Sequence, residues 1–446
     1  MTRTFRATGA FRAARWAAPA ALFLLMAMGC GLLDTSQPDI IDPGELDTPE
    51  GAQAKRIGAI TEFTYAKDGG PTTDGQILTT GLLSDEFVLS TTPPTEQEVD
   101  QRAMNETNGD IFTVYFQIHR ARGAAEDAAG ALQRFVADPD AEAGIPEMLS
   151  LAGFTYVYFA EAFCSGVPLS KVRGDSLLYG GPVSRTAMLD TAIARFDSAL
   201  AHPAIVVDAN VQYLAQVGRA RALLEQSQYA AAGAAVAGVP TAFEYVTEHA
   251  QSPAVLQNSI HVNSAGGLWS VSDLEGTNGL PYRTNDDPRV PWSFDPDNPV
   301  GLDGSTPQYT LLKYPDVGSA VAVANGIEAR LIEAEAQLAL GDTAAMLVTL
   351  NSLRALDPAL SPLTGPTSIT EAEDMLFSER AFWLFATGHR LGDMRRLIRQ
   401  YGRTEGTVFP FGPYLKGGSY GTDVNIPVPI EEQNNPKFTA SIDRNA

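Results

Sequence analysis

A helix that is apolar on two faces is the feature that most limits how this chain can fold. Residues 327–340 place apolar side chains at helical spacing along two stripes rather than one. The first stripe contains Ile327, Leu331, Ala334 and Leu338, and the second contains Ala329, Ile332, Ala336 and Ala339. Because such a helix must bury both faces, it must be packed between other helices. Gly341 is expected to end it and Asp342 to cap the next helix, which predicts a helical hairpin.

A second segment, residues 213–237, has the same design. A stripe that ends at Leu224 is followed by a short Gln-Ser-Gln turn, and Tyr229 then begins an Ala-rich stretch that allows close helix contact. Both segments resemble tetratricopeptide hairpins with a degenerate consensus. Further helices are expected at about 52–66, 111–136, 147–163 and 186–200. We therefore predict a mostly α fold built from tetratricopeptide-like helical hairpins.

The strongest helix start is the capping-box pattern Thr370-Glu371-Ala372-Glu373, which predicts one long helix to about Tyr401. Within it, Arg390 and Asp393 share a helix face. We expect the charged cluster around them, which also contains Arg395 and Arg396, to form an internal ion-pair network. Ligand binding by this cluster is the alternative.

Two long irregular insertions interrupt the helical pattern. Residues 67–110 are rich in Gly, Thr and Pro, and residues 258–325 are rich in Gly, Asn, Asp and Pro. The second insertion also contains five large aromatic residues: Trp269, Tyr282, Trp292, Tyr309 and Tyr314. Insertions of this length in a helical domain usually form a functional surface or are disordered, and the aromatic residues favour a surface.

The N-terminus has the pattern of a lipoprotein leader. Four Arg residues precede a short apolar run, too short to span a bilayer, that ends at Cys30 after Ala27-Met28-Gly29. We predict a signal peptide at 1–29, lipidation of Cys30, and a flexible acidic tether at 30–51 that is rich in Asp, Glu and Pro. The alternative is a plain signal peptide with an incidental cysteine. The remaining domain would cover 52–446.

Charge and cysteine content exclude several functional classes. The formal net charge is −22, which disfavours a nucleic-acid partner because such a surface repels phosphates. Only two cysteines are present, which excludes a disulfide scaffold and a multi-cysteine metal site.

The sequence predicts no catalytic residue. The glycine-rich stretch 417–421 formally fits a nucleophile elbow but lacks the required strand and helix, so we interpret it as a loop. The five histidines show no metal-ligand spacing. No cofactor is expected. A structural calcium ion held by Asp295, Asp297, Asn298 and Asp303 is the weaker alternative to a solvated acidic loop.

Aromatic and polar residues of the second insertion fit a sugar-binding surface. The apolar face of a sugar ring packs on Trp or Tyr, while amide and guanidinium groups bind its hydroxyls. On this basis we predict ligand contacts at Trp269, Tyr282, Trp292, Asn278 and Arg283. The alternative is that these rings fasten a long loop to the helical body.

Several motifs, taken in order, resemble the RagB/SusD family of nutrient-uptake outer-membrane lipoproteins over nearly the whole chain. The most specific one is Glu379-Arg380 followed by Gly388-His389-Arg390-Leu391-Gly392-Asp393. The others are Cys30 with Leu33-Asp34 and Pro38, Tyr156 through Gly166-Val167-Pro168-Leu169, Ala220-Arg221 through Leu224, Arg330 through Glu335 with Leu350-Asn351, and Ile426-Pro427 through Asn435-Pro436.

This resemblance implies a SusD-like α-helical fold and a role in nutrient uptake. Members are lipid-anchored in the outer membrane facing the cell exterior, bind a ligand that is usually an oligosaccharide, and cap a TonB-dependent, SusC-like transporter without catalysis. Their ligand contacts come from the irregular regions. The residues leave open whether the ligand is a glycan, a peptide or another polymer. Two alternatives are a scaffold lipoprotein that binds another protein and a glycoside hydrolase.

Overall fold

The structure is a computed structural model that describes residues 46–70, 73–173, 176–439 and 444–445. The chain divides into Met1–Asp47, of which only the last two residues are described, and Thr48–Ala446, which contains every element below. The predicted signal peptide, the lipidation site at Cys30 and most of the tether lie outside the described residues. The tether was predicted to reach residue 51, but the first helix begins at Pro49, where the Thr48 side chain accepts a hydrogen bond from the Gly51 amide.

Helices make up most of the part of the chain that the structure describes. In chain order they are α1 (Pro49–Asp68), α2 (Gln76–Leu83), α3 (Pro94–Asp100), α4 (Gly109–Phe135), α5 (Gly144–Ala162), α6 (Arg185–Ala201), α7 (Ala209–Glu225), α8 (Tyr229–Val236), α9 (Ser259–Ala265), α10 (Gly326–Ala339), α11 (Thr343–Arg354), α12 (Ile369–Trp383), α13 (Arg390–Arg399) and α14 (Glu405–Val408). The prediction of a mostly α fold is confirmed.

Short strands form small antiparallel pairs. In chain order they are β1 (Phe87–Leu89), β2 (Val167–Pro168), β3 (Lys171–Arg173), β4 (Ser176–Leu178), β5 (Pro182–Val183), β6 (Glu244–Thr247), β7 (Trp269–Val271), β8 (Trp292–Phe294), β9 (Tyr309–Leu311) and β10 (Val321–Asn325). The pairs are β1 with β7, β2 with β5, β3 with β4, β6 with β10, and β8 with β9.

The two predicted helical hairpins are present. Helices α7 and α8 pack together, as do α10 and α11, and α8 also packs against α10. Gly341 adopts a positive φ of 83° just after α10, and the Asp342 side chain caps α11 by accepting a hydrogen bond from the Ala345 amide at 2.9 Å. Helices α5 and α6 also pack closely. A methyl group added at Gly153 would lie only 2.7 Å from the ring of Phe196.

The predicted long helix from 370 to 401 is wrong in two respects. Its N-cap is Ser368 rather than Thr370: the Ser368 hydroxyl accepts from the Glu371 amide, and the Glu371 carboxylate accepts from the Thr367 amide. The helix also ends at Trp383 and resumes only at Arg390. Capping patterns that start two residues apart look alike in a sequence, so the local signal did not separate them.

Tertiary contacts hold the break between α12 and α13 open. The Phe385 carbonyl accepts a hydrogen bond from Lys313 at 2.6 Å, and the Ala386 carbonyl accepts one from Tyr314 at 2.9 Å. The Ala386 amide donates to the Glu86 carboxylate at 2.9 Å. These partners lie in the two insertions, far away in sequence, and they replace the intrahelical bonds that a continuous helix would make.

The ion-pair network predicted around Asp393 is confirmed for Arg390 and Arg396, whereas Arg395 donates instead to the backbone carbonyls of Ala160 and Phe163. Arg380 donates two hydrogen bonds to the Asp393 carboxylate, at 2.7 and 2.9 Å, and Arg396 donates a third at 2.6 Å. Arg390 pairs instead with Asp85, at 2.6 and 2.8 Å. The five side chains that form these ion pairs are buried. The network therefore joins α12 and α13 to the segment between α2 and β1.

The two insertions contain regular elements and dock on each other. Residues 67–110 include α2, β1 and α3, and residues 258–325 include α9 and strands β7 to β9. Strand β1 pairs with β7 so that Phe87 lies opposite Val271 and Leu89 lies opposite Trp269. This pairing makes one loop surface out of segments about 180 residues apart in sequence.

Candidate ligand-binding site

A pocket of about 390 Å³ opens where this loop surface meets the C-terminal loops. We call it the loop pocket. Its walls are the turn after β7, the side chains of Arg283 and Tyr309, and the 413–415 loop. Leu274 and Leu415 are 55% and 60% exposed on opposing loops, so the mouth is apolar. The volume lies at the lower end of the range of pockets that bind small ligands.

Two tyrosine–carboxyl pairs form the base of the loop pocket. The Tyr414 hydroxyl donates to Asp100 at 2.6 Å, and the Tyr420 hydroxyl donates to Glu275 at 2.6 Å. The two tyrosine rings meet edge to face, with centroids 5.2 Å apart. Ser272 donates to the second oxygen of Glu275 at 3.1 Å. The base is therefore a fixed hydrogen-bonded layer.

Burial controls the charge of this base. It raises the pKa of Asp100 to about 7, although hydrogen bonds from Tyr414 and the Leu89 amide act in the opposite direction. Burial, reinforced by the neighbouring Asp100 carboxyl, raises the pKa of Glu275 well above its ordinary value. Both shifts favour the neutral acids, because burial penalises the charged form by more than the hydrogen bonds, and for Asp100 the charge of Lys416, favour it.

Arg283 lies along one wall of the loop pocket. Its guanidinium carbon is 3.6 Å from the centroid of the Tyr309 ring, a close cation–π contact. Its nearest carboxylate is Asp273, at 4.0 Å. The opposite oxygen of Asp273 is occupied by the Arg283 and Thr284 amides and the Thr284 hydroxyl. Of the five residues predicted to contact a ligand, Arg283 is the one that lines this pocket.

Two of the other predicted residues are in the core. Trp269 is 1% exposed with its ring 4.1 Å from that of Phe87, and Tyr282 is fully buried with its ring 4.7 Å from that of Phe385. Neither ring offers a face to a ligand in this structure, which corrects their assignment as surface platforms. Trp269 fastens the second insertion to β1 of the first, and Tyr282 fastens it to the helical body at Phe382 and Phe385, which is close to the alternative that the sequence left open.

The remaining two predicted residues support the site from outside. The Trp292 ring meets Tyr309 edge to face at 5.2 Å on the β8–β9 hairpin, behind the pocket-lining ring. Asn278 donates to the Phe409 carbonyl at 2.8 Å and ties the turn after β7 to the end of α14. Their predicted ligand contacts stay predictions.

Neither tyrosine of the pocket base was predicted from the sequence. Tyr420 lies in the glycine-rich stretch 417–421 that we interpreted as a plain loop, and Gly417 and Gly418 there adopt positive φ angles. Tyr414 lies just before it. An aromatic residue at each end of a glycine turn is a usable signal, but only the fold shows that the turn reaches Asp100 and Glu275.

Comparison with solved structures shows what this architecture is. A SusD superfamily protein from Bacteroides vulgatus has a TM-score of 0.67 at 16% identity, covering 88% of this chain and 98% of that one. One from Bacteroides thetaiotaomicron has a TM-score of 0.67 at 13% identity, covering 89% and 99%. The chain has the SusD-like fold. The predicted resemblance is thus confirmed at the level of the fold.

A third similar structure is the surface glycan-binding protein A from Bacteroides uniformis. It has a TM-score of 0.63 at 15% identity and covers 89% of this chain and 100% of that one. No family profile matches the sequence, and no curated protein matches it. The relationship is therefore visible in the fold and not in overall sequence similarity.

A second, larger cavity of about 930 Å³ lies between α4, the β3–β4 hairpin and residues 429–435 of this SusD-like fold. We call it the aromatic groove. Its rim exposes apolar side chains, among them Phe116, Val172 and Leu177, which are 47%, 78% and 51% exposed. Exposed apolar patches of this kind mark contact sites for other macromolecules.

The calcium alternative receives no support from the acidic loop. Asp295 accepts hydrogen bonds from the Asp297 amide and the Asn298 side chain, and Asp303 pairs with Lys416 at 2.7 Å. Within the described ranges, no group of three His, Cys, Asp or Glu residues is placed to hold a metal ion. The expectation that no cofactor is needed stays a prediction.

None of the helices described is long and apolar enough to cross a membrane.

Proposed function

We propose that this protein is a cell-surface nutrient-binding lipoprotein that captures an oligosaccharide in the loop pocket. The observation that carries this proposal is the open pocket itself, in which an aromatic ring, a guanidinium group and apolar leucines converge on a SusD-like fold. Support also comes from two similar structures, a SusD-like carbohydrate-binding protein from Bacteroides vulgatus and the surface glycan-binding protein A from Bacteroides uniformis.

In this proposal the chain is anchored in the outer membrane by a lipid on Cys30 and faces the cell exterior. It caps a TonB-dependent, SusC-like transporter and delivers the ligand to it. The aromatic groove is the surface best suited to that partner, because it is large, apolar at its rim and separate from the residues that line the loop pocket.

Binding without bond cleavage is part of the proposal. Glycoside hydrolysis needs two carboxyl groups placed on either side of the scissile bond, one of which donates a proton. Glu275 uses both oxygens in hydrogen bonds with Tyr420 and Ser272. The hydrolase alternative predicts release of reducing sugar from polysaccharides by the purified protein, whereas a binding protein releases none.

The ligand proposal is tested by calorimetry on purified protein with a panel of oligosaccharides. We expect one class to bind, and Tyr309→Ala to weaken it about tenfold or more, because the substitution removes the ring under Arg283. Phe411→Ala is a suitable control, because Phe411 is 55% exposed and absent from the pocket lining. Equal loss in both variants would contradict the proposal.

The transporter proposal is tested in the native host. The tagged protein is solubilised gently and its co-purifying proteins are identified. A β-barrel transporter in about equal amount is expected, and Val172→Asp with Leu177→Asp should reduce it. Val348→Asp is the matched control, since Val348 is 70% exposed on α11, outside the groove. If no barrel is recovered after crosslinking, the scaffold alternative becomes the better explanation.

A further inference from the structure

Arg283 has hydrogen-bonding capacity that the protein does not use. Its side chain donates no hydrogen bond to any residue in the described part of the chain, and its Nε is shielded from solvent without a partner. A guanidinium has five donors in a planar fork. The Arg283 side chain is still 22% exposed, so a molecule in the loop pocket can reach it.

The contacts that Arg283 does make orient it without satisfying it. Tyr309 lies against the flat face of the guanidinium at 3.6 Å, which leaves the two Nη groups at the edge available, whereas Nε is shielded from solvent. Asp273 is 4.0 Å away, beyond hydrogen-bond distance, although it offers partial charge compensation. A guanidinium that is stacked on a ring and donates no hydrogen bond is oriented to bind a planar acceptor.

Apart from Asp273, the charged groups in and beside the loop pocket do not oppose the binding of an anion. The other lining carboxyl group is Glu275, which is 7% exposed and whose pKa is raised well above its ordinary value by burial. The adjoining cavity contains Lys416 and Asp303, which pair with each other at 2.7 Å. The net charge of −22 acts from a distance and is screened beyond about 8 Å at physiological ionic strength.

From this arrangement we infer that the loop pocket selects an acidic oligosaccharide and that Arg283 binds the carboxylate of a uronic acid unit through its N–H edge. The inference rests on the proposed glycan-binding function and names its substrate class. Hydroxyl groups of a neutral sugar would also accept hydrogen bonds from Arg283, but a carboxylate accepts two parallel ones and adds charge attraction.

The experiment compares acidic oligosaccharides with neutral counterparts that have the same sugar skeleton. Trigalacturonate and its methyl ester form one pair, and oligomers of glucuronate, mannuronate and guluronate are each paired with their carboxyl-reduced forms. Binding to the wild-type protein is measured by calorimetry at two salt concentrations. We expect one acidic oligomer to bind about 10- to 100-fold more tightly than its neutral counterpart. Higher salt should reduce the difference in affinity between the acidic oligomer and its neutral counterpart, because salt screens the charge attraction.

Arg283→Gln should abolish this preference, and Arg283→Lys should restore part of it, because lysine retains the charge but not the fork. The matched control is Arg403→Gln, since the Arg403 side chain is 23% exposed and lies outside the loop pocket. It should leave the preference unchanged. Thermal unfolding of each variant verifies that it is folded.

The outcomes separate this inference from the proposal beneath it. If neutral oligosaccharides bind as tightly as acidic ones, or if the acidic preference survives in Arg283→Gln, the inference is overturned while glycan binding stands. If no oligosaccharide of either series binds, the proposed function fails and the inference fails with it.

Discussion

Arginine and carboxyl groups form ion pairs in the helical core, whereas in the loop pocket they do not hydrogen-bond to each other. In the core, the Asp393 carboxylate accepts three hydrogen bonds from Arg380 and Arg396, and these two cations hold the pKa of Asp393 below its ordinary range. In the loop pocket, Arg283 donates no hydrogen bond within the described residues, and the pKa of Asp100 is raised to about 7.

This difference separates groups that hold the fold together from groups that are available to a ligand. The Arg380 and Arg396 guanidinium groups are buried and donate to carboxylates of the protein, so another molecule does not reach them. A guanidinium that is stacked on a ring but lacks hydrogen-bond partners has lost hydration without compensation, and a bound ligand could provide the missing hydrogen bonds. Ion pairing by itself therefore does not identify a functional arginine, and we propose that unused donors facing an open pocket are the more useful criterion.

The largest effect is expected from breaking the core network. Asp393→Asn would leave Arg380 and Arg396 without their shared counter-charge, which should lower the free energy of unfolding by about 3–5 kcal/mol. Urea denaturation measures this change. Asp374→Asn is the control, because Asp374 is 64% exposed in its pair with Arg403 and should cost less than about 1 kcal/mol. Similar losses in both variants would mean that burial of the network contributes nothing.

A loss of similar size is expected when the core aromatic Trp269 is removed. Trp269→Ala would leave a cavity beside Phe87 and lower the free energy of unfolding by about 3–5 kcal/mol. Affinity of the protein that remains folded should change much less than it does in Tyr309→Ala. If Trp269→Ala abolishes binding at full stability, then Trp269 contacts the ligand.

The pH dependence of stability gives a smaller effect with a definite sign. Asp100 is protonated in the folded protein up to about pH 7 but has an ordinary pKa of 3.8 when unfolded. Between these values the unfolded chain releases a proton that the folded protein retains, so the free energy of unfolding falls as pH rises, by up to about 1.4 kcal/mol per unit.

Comparison of the wild-type protein with Asp100→Asn removes this titration, because asparagine does not titrate, and it also removes the carboxyl that helps to raise the pKa of Glu275. From pH 4.5 to 6.5 the wild type should lose stability relative to the variant. The Asp393 carboxylate has a lowered pKa, so its own contribution is complete above its unfolded pKa and is lost only as pH falls below it. A difference between wild type and variant that is flat with pH would show that Asp100 is already ionised.

The smallest effect on stability is expected at Arg283. Arg283→Gln removes the contact with the Tyr309 ring but no hydrogen bond to a described residue, so it should cost less than about 1 kcal/mol in unfolding free energy. Denaturation under the conditions used for Asp393→Asn checks it. A loss of 3 kcal/mol or more would place Arg283 among the structural arginines and remove the contrast between the two regions.

How far the sequence predicted the site depended on the kind of residue. Arg283 was predicted as a ligand contact and lines the pocket. Trp269 and Tyr282 were predicted on the same grounds and are buried. An aromatic residue has one chemistry that serves both the core and a sugar face, so its type alone does not separate these roles.

What the sequence by itself determined is the helical body. The two-stripe hairpins, the glycine and aspartate at the turn after α10, and the charge cluster around Asp393 are local or periodic patterns, and each is present in the structure. Only the tertiary structure decided the break between α12 and α13, the pairing of β1 with β7, and the assembly of the loop pocket. The physical reason is distance along the chain. Lys313, Tyr314 and Glu86 stabilise the break from positions some 70 to 300 residues away, and no window of sequence contains both the break and its partners.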